Sequence, residues 1–234
     1  MGRYHDPELS STNNTLKLKR GVMKYWYILI LYPFLVYSQS EIVTDSRFAA
    51  RAELIYTVNN NFTGRGVDFG FSLFNFIDIG FEHLGGSYNS QYHTESSATT
   101  IYAAYNAKSK NYCFRLLAGY SLNTVKYYSE NLNLYGAVIG LIFYSKIYET
   151  ESVSLIPGIG ISAGLLSVSQ GSRYSNYSEI ENPKSAGFEF NIVSKINNRF
   201  YFVIDPSLSK DLVNTDNSLI LGINLGIIFR IPNK

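Results

Sequence analysis

Hydrolysis by an activated nucleophile requires a histidine held beside a serine or a carboxylate. The chain has three histidines. His5 lies in a leader-like segment, His83 on an apolar face, and His93 in a polar stretch near Glu95 and Ser96. None stands in a spacing that fixes a nucleophile, a base and an orienting group. No His, Cys, Asp and Glu spacing suggests the three or four convergent ligands of a metal site, and no cofactor is expected. The single cysteine, Cys113, cannot pair within the chain. A different set of residues stands out. Arg51, Glu53, Asp68, Asp78, Glu82, Arg115, Glu189, Lys195, Asp205 and Arg230 all sit at the polar positions of segments whose alternate positions are apolar. Charges on such a face, enclosed by the fold, must pair with one another or be hydrated. Their expected chemistry is an ion-pair network filling an interior, or the lining of a selective conduit.

The elements that must carry these charges are strands. Period-two alternation recurs along the chain after residue 46, and helical periodicity does not. In the last segment Leu219, Leu221, Ile223, Leu225, Ile227, Phe229 and Ile231 alternate with Ile220, Gly222, Asn224, Gly226, Ile228 and Arg230. Similarly, Val67, Phe69, Phe71 and Leu73 alternate with Asp68, Gly70 and Ser72. Ten strands are predicted, at 47–57, 65–74, 76–86, 98–107, 111–122, 133–144, 152–166, 186–196, 199–210 and 218–231. The segments Thr99–Tyr105 and Tyr135–Phe143 alternate more weakly. The connections alternate too, at about 7, 11, 10, 19 and 7 residues after odd strands and about 1, 3, 7 and 2 after even ones.

Composition agrees with an all-β membrane protein. Of 234 residues, 46% are hydrophobic and only 16% charged, with 20 Tyr, 15 Phe and 18 Gly. That much apolar material excludes disorder. A mean hydropathy of −0.03, with no run of about 18 apolar residues, excludes a multi-span helical protein. A net charge of +2 gives no basis for nucleic-acid binding.

The basic balance itself belongs to the N-terminus. Lys17, Lys19, Arg20 and Lys24 precede the apolar stretch Tyr25–Tyr37, and Val36-Tyr37-Ser38 puts small residues before Gln39. That order is a secretory signal peptide. The expected organisation is therefore residues 1–22 as an extension or a misassigned start, 23–38 as the signal peptide and 39–234 as one barrel. Without residues 1–38 the remaining 196 residues carry 15 basic and 16 acidic side chains.

The fold expected is a closed antiparallel up-and-down transmembrane β-barrel of ten strands, or of eight if one hairpin lies outside the membrane. Long connections at one end, short turns at the other and aromatics bracketing the apolar stripes (Phe48 and Tyr56, Tyr112 and Tyr120, Tyr135 and Phe143) fit a bacterial outer-membrane barrel. A soluble ligand barrel would turn the apolar face inward, and a water-facing surface rich in glycine would weaken its strands.

The leader followed by QSEIV, the ten alternating segments and the closing LGINLGIIFRIPNK together resemble the outer-membrane β-barrel domain family, the porin-family proteins common in Bacteroidetes. The resemblance covers about residues 39–234. It implies an integral outer-membrane protein whose partners are membrane lipid and the barrel-insertion machinery. Many such barrels end on an aromatic residue; here Phe229 is followed by Arg230, Ile231, Pro232, Asn233 and Lys234. The expected role is structural or surface-interacting, non-enzymatic and monomeric, with the loops 87–97 and 168–185 as surfaces for an extracellular ligand. A small pore is the alternative, followed by a lipid-modifying enzyme.

Small residues at −3 and −1 place cleavage between Ser38 and Gln39. N-terminal mass spectrometry of the membrane-extracted protein should find Gln39 or its pyroglutamate. Recovery of intact residues 1–38 would refute the assignment.

Overall fold

A computed structural model describes residues 47–59, 62–88, 95–127, 130–168, 184–213 and 219–231. The signal-peptide assignment and His93 lie outside these residues. Ten long strands run in sequence: β1 Phe48–Val58, β2 Phe62–Leu73, β3 Ile77–Tyr88, β4 Glu95–Lys108, β5 Tyr112–Tyr127, β6 Glu130–Ser145, β7 Val153–Val168, β8 Lys184–Lys195, β9 Phe200–Asp211 and β10 Ile220–Ile231. A two-residue segment, Tyr148–Glu149, pairs with Leu155 and Ser154 of β7 in the connection from β6. Every strand is antiparallel to its sequence neighbours, and β1 pairs with β10 along its full length, from Phe48↔Ile231 to Val58↔Leu221. The sheet is closed and has no free edge.

The register fixes the barrel's shape. One ladder row runs from Ser154 through Val193, Val203, Gly226, Glu53, Asp68, Glu82, Thr100, Ser121 and Gly136 to Leu166. It returns to β7 twelve residues from its start. With strands about 4.8 Å apart and a rise of about 3.3 Å per residue, this stagger gives a tilt near 40° and a backbone radius of about 10 Å. Such a barrel is narrow, so inward side chains from opposite walls approach one another. Between neighbouring strands, too, space is short: an added Cβ at Gly136 would run into the carbonyl oxygen of Leu165 on the paired strand.

Alternation places the two faces as the sequence predicts. Leu54, Phe71, Ile101, Leu122, Ile139, Ile159, Leu165, Leu221 and Ile227 are exposed on the outside, at 50–66%. Their neighbours in sequence point inward and are buried, apart from the part-buried Leu166 and Gly222. An exposed apolar belt around the whole wall is the surface of a face that meets hydrocarbon or another apolar partner. Thr99–Tyr105 is weak in alternation because its outward positions include the small Ala103; it nonetheless forms the middle of β4.

The connections depart from expectation at one end. Only three residues separate β1 from β2 and two separate β5 from β6, against the expected seven and ten. The ladder instead continues through polar sequence, with Thr124 opposite Asn133 and Lys126 opposite Asn131. Thr124 Oγ1 donates to Asn133 Oδ1 at 2.9 Å, and Lys126 pairs with Glu95 at 3.7 Å, both exposed. Backbone pairing does not require an apolar face, so strands outrun the pattern that reveals them. Of the two surfaces expected for an extracellular ligand, residues 87–88 and 95–97 belong to β3 and β4, and Val168, Lys184 and Ser185 to β7 and β8. Residues 89–94 and 169–183 lie outside the described ones.

Leu225, 41% exposed, stands beside the buried Asn224. Leu225→Arg should cost about 2–4 kcal/mol if that face meets hydrocarbon near mid-depth. Urea unfolding in lipid vesicles measures it. An unchanged midpoint would show that the belt faces water.

Candidate functional site: the barrel interior

The interior is layered. At the end holding the β2–β3, β4–β5, β6–β7 and β8–β9 turns, Ala49, Cys113, Ile142, Tyr144, Ile156, Val193, Tyr201, Val203 and Ile228 form one buried apolar cluster drawn from seven strands. Towards the other end the inward positions carry Phe62, Leu84, Ala98, Val125, Leu134 and Ile220, each at most 3% exposed. Most of the charges lie between; Asp78, the second residue of β3, lies next to the β2–β3 turn. Arg51, Glu53, Asp68, Asp78, Glu82, Arg115, Glu189 and Asp205 are all at most 5% exposed.

Two ion-pair centres organise them. The Arg51 guanidinium donates to Asp68 Oδ2 at 2.5 Å and to the Tyr102 hydroxyl, and its Nε lies 3.9 Å from Glu53 Oε1. Tyr102 in turn donates to Asp68 Oδ1 at 3.0 Å. The second centre joins Arg115 Nη2 to Asp78 Oδ2 at 3.1 Å, and the same oxygen accepts from Asn106 Nδ2 at 2.7 Å. Charge-assisted hydrogen bonds of this kind offset the loss of hydration on burial.

Glycines set where the tyrosines go. Tyr102 on β4 is the ladder partner of Gly80 on β3 and lies flat across it; a Cβ at Gly80 would be 2.2 Å from the Tyr102 ring and hydroxyl. The missing side chain lets the ring cross β3 and deliver its hydroxyl to Asp68 on β2. The same construction recurs across the barrel, where Tyr144 on β6 lies over its partner Gly158 on β7, beside Glu189 on β8. Sequence reasoning missed Tyr102, Tyr144 and both glycine partners. The signal was present as an inward aromatic with glycine in the neighbouring strand, but it is visible only once the register is known.

Asp205 has a backbone role. The β8–β9 ladder is interrupted at Asp205–Pro206, since proline has no N–H to give. The Phe190 N–H donates to the Asp205 carboxylate instead. Asn224 Nδ2 also reaches that carboxylate, 3.5 Å from Oδ2.

Two residues expected in this network are elsewhere. Lys195, the last residue of β8, is exposed. Arg230 is half-exposed at the end of β10; its Nε donates to the Asn198 carbonyl at 2.9 Å and its guanidinium lies 5.3 Å from the Tyr201 ring centre. Both have inward parity, but they sit beyond the apolar cluster, where the inward direction opens onto solvent. The eight that remain comprise six carboxylates and two guanidiniums. Glu82 is 1% exposed, and neither of its carboxylate oxygens has a hydrogen-bond partner.

His83 points outward, and its Nδ1 lies 2.9 Å from Thr99 Oγ1, its cross-strand neighbour. Among the described residues no group of three His, Cys, Asp or Glu is placed to hold a metal ion.

Removing the Arg51 charge strands Asp68 in the interior. Arg51→Met should cost about 3–5 kcal/mol. Glu82→Gln removes a carboxylate from beside Asp68 and Glu53 and should leave stability unchanged or raise it by about 1 kcal/mol. Unfolding midpoints of the two variants test the contrast; a Glu82→Gln variant as destabilised as Arg51→Met would show that Glu82 holds the network together.

No protein-family model matches this chain, and no curated protein matches it by sequence. Solved structures do. The translocator domain of the autotransporter NalP from Neisseria meningitidis aligns over 95% of this chain and 98% of its own, with a TM-score of 0.50 and 11% identity. An outer membrane channel from Pseudomonas putida F1 aligns over 85% and 98%, with a TM-score of 0.46 and 9% identity. The outer membrane protease OmpT from Escherichia coli aligns over 80% and 94%, with a TM-score of 0.37 and 10% identity. These proteins are a translocator, a channel and a protease, and likeness at this identity concerns the fold alone. The chain has the fold of the outer-membrane β-barrels: ten antiparallel strands closed on themselves.

Proposed function

We propose that this protein is an integral barrel of the bacterial outer membrane that does not conduct, serving as a rigid anchor for what its longer connections present outside the cell. The observation that carries this reading is the filled interior. Tyr144, Ile156, Val203 and Ile228, all 0% exposed, belong to the apolar cluster at the turn end. The Arg51–Asp68–Tyr102 and Arg115–Asp78 centres span the middle. Barrels with open aqueous channels use about 16–18 strands. In this reading the protein is a monomer, released from its signal peptide and inserted by the barrel-insertion machinery, in the manner of the porin-family barrels that its sequence resembles. Its partners are membrane lipid and a ligand met by residues 87–97 and 168–185.

In this reading the protein is not an enzyme, and His83, with its Nδ1 2.9 Å from the Thr99 hydroxyl, is a structural residue of the outer wall. One feature favours a second reading. Six buried carboxylates against two guanidiniums make the middle layer acidic, and a leak through it would pass cations in preference to anions.

Planar-bilayer recording of the refolded protein separates the two. The sealed reading expects no steady conductance of porin size. A stable, reproducible cation current would establish the pore.

A further inference from the structure

The turn end of the barrel carries an outward cleft of about 610 Å³ between the β2–β3 and β4–β5 turns. Phe74, Phe76 and Tyr105 form one wall, their rings in sequence 6.2 and 6.3 Å apart. Tyr112 and Phe143 form the other, stacked at 5.8 Å. Lys108, the last residue of β4 and of inward parity where the lumen opens onto solvent, also lines the cleft; it is half-buried, with its ammonium donating to Asn75 Oδ1 at 2.7 Å. Asn75 is held at φ 68° and the adjacent Phe74 at φ 54°. Non-glycine residues adopt this left-handed conformation uncommonly, and asparagine is among those that tolerate it. The tight turn thereby sets Phe74 against the wall and aims the Asn75 amide at the lysine.

The surrounding rim is basic. Among the described residues at this end, Arg47, Lys108, Lys110, Lys146, Lys195, Arg199 and Arg230 face only Glu149 and Glu151. Lys146 pairs with Glu149 at 2.8 Å, which leaves the excess with the cations. Aromatic walls open to the apolar belt, with a positive charge at their polar edge, match an amphiphile that has acyl chains and an anionic head.

We propose that this cleft seats an anionic glycerophospholipid of the leaflet at the turn end, its phosphate at Lys108 and its acyl chains along Phe76, Tyr105 and Phe143. The seat rests on the outer-membrane reading, in which the turn end meets the periplasmic leaflet, the one built of phospholipid. Charge complementarity selects the occupant. A zwitterionic head brings its own cation to a rim already rich in them, whereas a phosphatidylglycerol head does not.

Native mass spectrometry of the full protein in mild detergent tests the seat. The probes are palmitoyl-oleoyl phosphatidylglycerol and palmitoyl-oleoyl phosphatidylcholine, which share acyl chains. The first bound lipid should favour phosphatidylglycerol roughly fivefold, the preference expected of a single lysine at an anionic head. Lys108→Gln should abolish that preference, while Lys126→Gln, at the opposite end, should keep it. Asn75→Gly, which accepts the same φ but lacks the amide, should reduce it. Equal binding of the two lipids, or a preference that survives Lys108→Gln, overturns the proposal. Migration of the unboiled protein as a compact, heat-modifiable band monitors the barrel independently. A lost preference in a protein that keeps this band refutes the seat alone; an absent band in the unmodified protein refutes the membrane reading beneath it.

Discussion

The seam between β1 and β10 is the contact on which the structure depends. Backbone N–H and C=O groups have no water to bond with inside hydrocarbon, and leaving them unpaired costs several kcal/mol each. A ten-stranded sheet can satisfy both of its edges only by joining them. Phe48–Val58 and Leu221–Ile231 do so along the whole strand, with no residue skipped. Once that seam is made, the register is committed all the way round, and the twelve-residue stagger fixes tilt and radius. A slip of one residue along a strand would turn its inward charges into the belt and its outward apolar side chains into the lumen.

Closure at this radius creates the second problem, which the side chains solve. Half of every strand points into a narrow space that the cluster around Ile156 and Tyr144 occupies at the turn end. Charges confined there must find partners within reach. Arg51 serves three groups, Asp68, Tyr102 and Glu53. Asp205 is turned to a backbone N–H left over where Pro206 breaks the ladder. Gly80 and Gly158 give up their side chains so that two tyrosines can lie across neighbouring strands. The interior is filled by a few long side chains, each crossing space that a small residue has vacated.

The outer surface follows a different logic, because its solvent changes with height. Apolar residues fill the middle of the wall, while polar pairs such as Thr124 with Asn133 continue the strands past the belt. Aromatic rings gather at the turn end, where Phe48, Phe74, Phe76 and Tyr105 follow one another at 5.6 to 6.3 Å. Rings of this kind sit well at a boundary between hydrocarbon and water. Lys108 adds a positive charge beside those rings.

The alternation of Leu219 to Ile231, and its echo in nine other segments, pointed to ten strands and put Arg51, Glu53, Asp68, Asp78, Glu82, Arg115, Glu189 and Asp205 on one shared face; the glycines of that face and the aromatic brackets of the other were what turned it inward. A period of two is a local property, set by the geometry of one extended chain and legible without neighbours. Where both faces are polar that local signal vanishes, so the extensions of β5 and β6 to Tyr127 and from Glu130 were hidden. Depth was hidden as well: Lys195 and Arg230 share the parity of the buried charges, yet sit where the lumen meets solvent. Only the tertiary structure decided which charges meet. Arg51 and Asp68 are 17 residues apart and Tyr102 lies 34 beyond Asp68. Their meeting depends on the register of β1, β2, β3 and β4 and on a glycine at position 80. Register is a relation between strands, set by closure of the whole sheet, and no single segment of sequence contains it.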